Sequence, residues 1–100
     1  MPGVIRTSLD THAGHPCPTD DKPAHTAGSY NSAGQSKVFS DANLVVNKSG
    51  GLDCGDEVKQ VSTKVFAGGK GVHRQGDETT GHGCWIKSTA VGGSSKVFAN

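Results

Sequence analysis

The stretch SKVF, at Ser36–Phe39, returns as STKVF at Ser62–Phe66 and as SSKVF at Ser94–Phe98. The copies lie roughly thirty residues apart, a period at which each copy corresponds to one supersecondary unit. A unit of that size cannot bury its own apolar face, so the copies must pack against one another. The sequence therefore predicts a pseudo-threefold object.

A second pattern, G-V-x-R followed by D-x-x-x-G-H-x-C, occurs at Gly3–Cys17 and again at Gly71–Cys84. The middle copy is degenerate, because Leu44–Asn47 stands in place of G-V-x-R and Cys54 falls close to the position of the histidine. Each unit then consists of a Lys-Val-Phe strand, a turn, a return strand and a long loop. The sequence begins with a return strand and ends just after a first strand, so the third hairpin requires pairing between the two ends.

The composition predicts an all-β fold. Glycine accounts for 15 of the 100 residues, and no window has a 3.6-residue apolar period long enough for a helix. Hairpin turns are expected at residues 40–43 and 67–70, and the three Lys-Val-Phe phenylalanines are expected in the core. We interpret residues 1–100 as a single domain, too small to be stable without a metal, disulfides or a partner.

Charge and cysteine content limit the possible functions. A net charge of +1 with dispersed lysines argues against nucleic-acid binding. No secretory signal or membrane span is recognisable, which predicts synthesis in a cytoplasm. Three cysteines are an odd number in a compartment where thiols stay reduced, so a disulfide framework is not expected and metal binding is the better use.

Three residues have competing interpretations. Cys17 and Cys84 occupy equivalent positions in two loops, and we expect them to be semi-buried thiols, with a Cys2His2 site as the alternative. His73 stands in the slot held by Ile5 and Val46, so packing or an exposed strand face is its expected role.

The motif G-V-x-R-x-G-D-x-T-x-x-H-G at Gly71–Gly83, with S-x-K-V-F, His15-Pro16-Cys17-Pro18 and Pro23-Ala24-His25, resembles the PAAR-repeat family. Members of that family form the pointed tip of contractile injection spikes. The resemblance covers nearly the whole chain. It implies a small cone made of three pseudo-threefold β-hairpin repeats, with loops tied together by a metal at the vertex.

The resemblance also implies one structural zinc ion, with iron as the alternative metal, held by three histidines and a cysteine. On this chain the matching residues are His15, His25, Cys54 and His82, with His12 as the alternative to His15. Four protein ligands fill a tetrahedral site and leave no position for a catalytic water. We therefore expect a protein that is not an enzyme.

By the same resemblance, one copy of the protein caps a trimeric β-helical spike and helps to pierce the target cell envelope. Such a tip is made in the bacterial cytoplasm, assembled into a phage baseplate spike or a type VI secretion apparatus, and delivered outside the cell. The use of the whole chain by one domain favours the phage role. The alternative is a free-standing zinc-stabilised β module that binds another protein.

Overall fold

The computed structural model describes residues 2–17 and 23–100; Pro18, part of one motif above, lies outside the described residues. Within them the protein is all-β and contains no helix, and so none that is long and apolar enough to cross a membrane. The strands are short: β1 (Thr11–His12), β2 (Gly28–Ser32), β3 (Phe39–Ser40), β4 (Asn43–Leu44), β5 (Gly51–Leu52), β6 (Phe66–Ala67), β7 (Lys70–Gly71) and β8 (Ala90–Val91).

Four of the strands form an antiparallel sheet in the order β5-β2-β1-β8. Thr11 pairs with Ser29 on one side and with Val91 on the other. The register between β2 and β5 shifts after the pair formed by Tyr30 and Leu52. This sheet connects the loops that carry the histidines to the rest of the protein.

The other strands form two hairpins, β3-β4 and β6-β7, at the two predicted turn positions. Both turns have two central residues with positive φ, namely 52° and 68° at Asp41 and Ala42, and 65° and 83° at Gly68 and Gly69. Positive φ at both central residues defines the type I′ turn, whose twist matches that of the flanking strands. The predicted hairpins are therefore present.

The two ends of the chain pair with each other, as the sequence predicts. Gly3 forms an antiparallel bridge with Phe98, and the N–H of Val4 donates to the carbonyl of Val97 at 3.0 Å. The two internal hairpins contain the same bond, from Val45 to Val38 at 3.0 Å and from Val72 to Val65 at 3.1 Å. The pairing of the ends thus repeats the geometry of the hairpins.

The three return segments, residues 3–7, 44–48 and 71–75, pair with one another in a closed ring. Ile5 N–H donates to the His73 carbonyl at 2.9 Å, His73 N–H to the Val46 carbonyl at 2.8 Å, and Val46 N–H to the Ile5 carbonyl at 2.9 Å. Each segment therefore contacts both of the others, and none of the three is left as an open edge.

Two apolar clusters lie on opposite faces of this ring. Successive residues of a strand point to opposite faces, and Val4 belongs to one cluster while its neighbour Ile5 belongs to the other. The first cluster consists of Val4, Val45, Ala67, Val72 and Ala99. The second consists of Ile5, Tyr30, Val46, Leu52, Val58 and Ala90, and Cys54 packs against it.

The prediction that the Lys-Val-Phe phenylalanines are core residues is wrong. Phe39 and Phe66 are each 58% exposed and Phe98 is 43% exposed, whereas the residue after each of them is buried. The alternation of side chains explains the result, because the residue after each Phe, Ser or Ala, faces inward and the Phe before it therefore faces solvent. Three of the five aromatic residues are therefore on the surface.

His73 packs inside the protein and is fully buried. Its Nδ1–H donates to the Gln60 carbonyl at 2.7 Å, and its Nε2 accepts a hydrogen bond from the Tyr30 hydroxyl at 2.9 Å. Burial lowers the pKa of His73 because the charged ring would lose its hydration, although the carbonyl of Gln60 and the charge of Asp77 oppose the shift. The histidine is held neutral.

We expect His73 to make the fold sensitive to acid. The unfolded chain binds a proton near pH 6.5, whereas folded His73 binds it only at lower pH, so stability falls as pH drops below about 6.5. The double variant Tyr30→Phe/His73→Ile, which leaves no unpaired hydroxyl, should show a smaller loss of unfolding free energy between about pH 7.5 and pH 5.5. Urea unfolding at several pH values tests this, with Tyr30→Phe as the control. Equal pH dependence of the wild type and the double variant would contradict it.

A second prediction concerns the paired ends. Deletion of residues 97–100 removes the acceptor for Val4 and the fully buried Ala99, so we expect a loss of about 2 to 4 kcal/mol. Replacement of the half-exposed Phe98 by Ser should cost at most about 1 kcal/mol. Urea unfolding of both variants makes the comparison. A deletion variant with an unchanged midpoint would disprove the structural role of the pairing.

Candidate metal centre

The structure brings His15, His25, Cys54 and His82 together at one site. The ring centroids of the three histidines lie 5.1 to 5.3 Å apart in every pairing. Nε2 of His25 lies 3.2 Å from Nε2 of His82, and Nε2 of His15 lies 3.6 Å from the Cys54 sulfur. Three imidazole nitrogens and a thiol therefore converge from three different loops.

The backbone fixes the histidines through two equivalent bridges. His15 and His25 exchange both N–H···O bonds, at 2.9 and 3.1 Å, and His82 and Trp85 exchange the same pair at 2.9 and 3.1 Å. The glycine before each bridge has positive φ, 82° at position 14 and 74° at position 81. A Cβ there would lie only 2.5 or 2.9 Å from the carbonyl oxygen across the bridge. The repeated Gly-His pair is thus a steric requirement of this turn.

Hydrogen bonds at Nδ1 direct the Nε2 lone pairs of two histidines toward the centre. Nδ1 of His15 contacts the carbonyl oxygen of Ile86, and Nδ1 of His82 contacts a carboxylate oxygen of Asp56. A carbonyl only accepts, and an ionised carboxylate only accepts, so both Nδ1 atoms carry the proton. Each Nε2 is then free to bind a cation, which is the outer-shell arrangement typical of metal-binding histidines.

Asp56 is a site residue that the sequence reasoning missed. It is buried, and its Oδ2 accepts hydrogen bonds from the Thr79 hydroxyl at 2.7 Å and from the Gly81 N–H at 3.2 Å. Burial alone would raise the pKa of Asp56, but the bonds from Thr79 and His82 outweigh it and lower the pKa below its usual range. The carboxylate orients His82 and lies 3.6 Å from Nδ1 of His15. Its position two residues after Cys54 was the available signal.

The donors are of types that could hold a metal ion. One ligand atom each of His15, Cys54, Asp56 and His82 lies within 4.8 Å of the others. His25 is not a member of this group, and its close contact is with His82. The pKa of His25 is lowered by loss of hydration and by the neighbouring histidines, which favours its neutral, ligating form. Burial raises the pKa of the Cys54 thiol, and the charges of Asp56 and Asp53 add to this, so the thiolate needs a nearby positive charge.

His12 does not join the four converging residues. Its Nδ1 accepts a hydrogen bond from the Gly14 N–H at 3.1 Å, so its proton is on Nε2, which donates to Asp53 at 2.9 Å. Both nitrogens of this buried ring are occupied by the fold. His12, Asp53 and Cys54 form a second group of metal-ligand types, but binding there would require His12 to give up its bond to Asp53.

Cys17 and Cys84 form a disulfide, which corrects the expectation of two free thiols and of a reduced framework. Their Cα atoms are 5.0 Å apart and they are separated by 67 residues. Each lies two residues after one of the converging histidines, so the geometry that joins His15 and His82 also joins the two cysteines. Cys54 is the free cysteine. The prediction was wrong because it assumed a reducing compartment, whereas the equivalent positions of Cys17 and Cys84 in the two loops indicate that they lie close together.

Trp85 covers one side of the histidine cluster. Its ring centroid lies 4.3 Å from that of His25 and 5.0 Å from that of His82. Its indole N–H donates to the Pro23 carbonyl at 3.0 Å, which connects the two loops again. The aromatic face limits the access of water to the two imidazoles.

Neither a protein-family model, nor a curated protein, nor a solved structure matches this chain.

Proposed function

We propose that this protein is the tip of a contractile injection spike, where one copy caps a trimeric β-helical protein. The observation that carries the proposal is the closed ring of three return segments, with a hydrogen-bonded Lys-Val-Phe strand beside each segment. A single chain with a pseudo-threefold axis can cover the end of a threefold partner, with each partner chain meeting an equivalent strand. The motifs that resemble the PAAR-repeat family support the same role.

The strands beside the ring expose the surface that such a partner needs. Phe39, Phe66 and Phe98 are all solvent-exposed. Large exposed apolar groups usually mark an interaction site when they occur together. They lie on equivalent hairpin strands, and the strand residue after each of them packs inward. The three phenylalanines form the proposed base of the tip.

The proposed vertex is one zinc ion at the histidine cluster, supported by two donor separations that match tetrahedral zinc. A tetrahedral zinc ion places two nitrogen ligands about 3.3 Å apart and a nitrogen and a sulfur ligand about 3.6 Å apart. The distances are 3.2 Å between His25 and His82 and 3.6 Å between His15 and Cys54. Zinc would supply a structural cross-link between three loops, because all four positions are filled by protein ligands.

The proposed mechanism is mechanical. The ring and its strands spread axial load over three partner chains, while the loops at the far end concentrate force on a small area of the target envelope. The disulfide between Cys17 and Cys84 ties two of those loops and suits a part that is delivered outside the cell, where disulfides persist. The site as described needs no substrate, and we propose no enzymatic activity.

The competing function is a free-standing zinc-stabilised β module. It differs from a spike tip because it needs no trimeric partner. Mixing the protein with a trimeric β-helical spike fragment encoded in the same genome separates the two, with the mass of the complex measured by light scattering. We expect one copy of this protein per three spike chains. Three copies per trimer, or no complex with any such spike, would favour the free-standing module.

A further inference from the structure

We propose that the three Lys-Val-Phe strands recognise their partner through paired contacts, in which each Phe enters an apolar socket and each Lys meets a carboxylate beside that socket. The inference rests on the proposed spike-tip function and specifies the chemistry of the surface that the tip would cover. The partner end would then carry three equivalent acidic side chains. We call the six residues the Lys-Phe ring: Lys37, Phe39, Lys64, Phe66, Lys96 and Phe98.

Each lysine lies beside a phenylalanine in the chain. It stands two residues before the Phe, in the bend that leads into the strand. All six side chains are exposed, while Ser40, Ala67 and Ala99 on the opposite face are buried. Each strand therefore presents an apolar group and a cation side by side.

The cations of the Lys-Phe ring are available to a partner. Among the described residues, Lys37 and Lys64 form no ion pair, and Lys96 has one long contact of 3.9 Å with Asp41 while remaining 79% exposed. Asp41 itself is engaged by Arg6. The strands thus carry uncompensated positive charge, although the net charge of the whole chain is only +1.

The strands are held in the same conformation at all three positions. The side chain two residues before each Lys accepts hydrogen bonds from the N–H groups of the Lys and of the Val after it. These acceptors are Gln35 at 2.7 and 2.7 Å, Ser62 at 3.0 and 2.9 Å, and Ser94 at 3.0 and 3.0 Å. The Lys-Phe pairs are therefore presented before binding, which reduces the entropy cost of association.

Charge complementarity and symmetry together indicate a protein partner. Three discrete pairs on rigid strands match a threefold protein end with three carboxylates, and complementary charges mainly raise the association rate and the specificity. An anionic lipid surface would also attract lysines and phenylalanines, but it has no threefold order for these strands to match. Binding to vesicles is accordingly an outcome of the test.

The experiment measures binding of the intact protein to the trimeric spike fragment from the same genome. Lys37→Met, Lys64→Met and Lys96→Met should each weaken binding by about two- to fivefold and to a similar extent, and the triple variant by more than about tenfold. The loss should lie mainly in the association rate and should shrink between about 0.05 and 0.5 M sodium chloride. The triple variant Lys48→Met/Lys59→Met/Lys87→Met, with the same net charge, is the control and should bind like the wild type.

The outcomes separate the two proposals. The Lys-Phe inference is overturned, and the spike-tip function is retained, if the triple variant Lys37→Met/Lys64→Met/Lys96→Met binds the spike as tightly as the wild type or no more weakly than the control variant. Failure of the wild type to bind any trimeric spike overturns both. If the triple variant at residues 37, 64 and 96 binds the spike normally but no longer binds phosphatidylserine vesicles, the inference is overturned in favour of a membrane surface. Melting curves of all variants verify that each one is folded.

Discussion

Removal of zinc from the purified protein by a strong chelator should lower its melting temperature by about 15 to 30 °C. A ligand at a thousandfold excess over its Kd stabilises the folded state by about 4 kcal/mol, and 1 kcal/mol corresponds to about 4–8 °C in a domain of this size. The four donors come from three loops that the unfolded chain does not hold together. Elemental analysis should find one zinc ion per chain, and differential scanning calorimetry measures the shift.

Single substitutions connect this effect to the proposed ligands. Cys54→Ser and His82→Ala should each abolish most of the zinc-dependent stabilisation. Glu57→Gln, at an exposed residue next to Asp56 and three residues after Cys54, should retain it. Asp56→Asn should weaken zinc binding by about 10- to 100-fold, because it removes the carboxylate that orients His82. Protein that is purified without metal and melts at the same temperature with chelator and with zinc would refute the metal centre.

The second large effect should come from the disulfide. Replacing Cys17 and Cys84 by serine, or reducing the wild type, should cost about 4 kcal/mol, because the bond closes a loop of 67 residues. A thiol assay on the denatured, unreduced protein should find one free thiol, contributed by Cys54. Three reactive thiols, or a double variant as stable as the wild type, would contradict the bridge.

The two cross-links should also support each other. The disulfide and the proposed zinc ion join the same segments, since His15 and Cys17 lie on one loop and His82 and Cys84 on the other. When one cross-link already holds the two loops together, forming the second link costs less conformational entropy. Breaking the disulfide with a reductant should therefore weaken zinc binding, and bound zinc should make the disulfide harder to reduce. Zinc affinity measured by calorimetry before and after reduction tests this coupling.

The repeated elements were readable from the sequence because each copy indicates the geometry of the other two. Both turns, the pairing of the two ends and the equivalence of Ile5, Val46 and His73 follow from the repeat, and the structure has all three features. The family resemblance led us to expect His15, His25, Cys54 and His82 at one site, and the structure places His15 near Cys54 and His25 near His82. Their role as metal ligands stays a prediction.

The features that were missed depend on which face of a segment is covered. Phe in a strand is usually buried, but here the small residue after each Phe fills the inner face and the Phe is left on the outer face. The role of Trp85 depends on contacts between distant loops, so residue type and spacing did not indicate it. For Asp56, the signal was its position two residues after Cys54. The position of His73, equivalent to Ile5 and Val46, was predicted correctly. Its hydrogen-bond partners, Tyr30 and Gln60, were not predicted.

The closed ring has a consequence for biosynthesis. The N–H of Val4 finds its acceptor only at Val97, and the N–H of Ile5 finds its acceptor at His73, so residues 3–7 are not fully paired until those distant segments have been synthesised. Contacts between such distant positions slow folding to milliseconds or seconds and leave apolar strands open to aggregation meanwhile. The three hairpins are therefore expected to be complete only after the segment around Val97 has been synthesised, and the incomplete chain is expected to depend on chaperones until then.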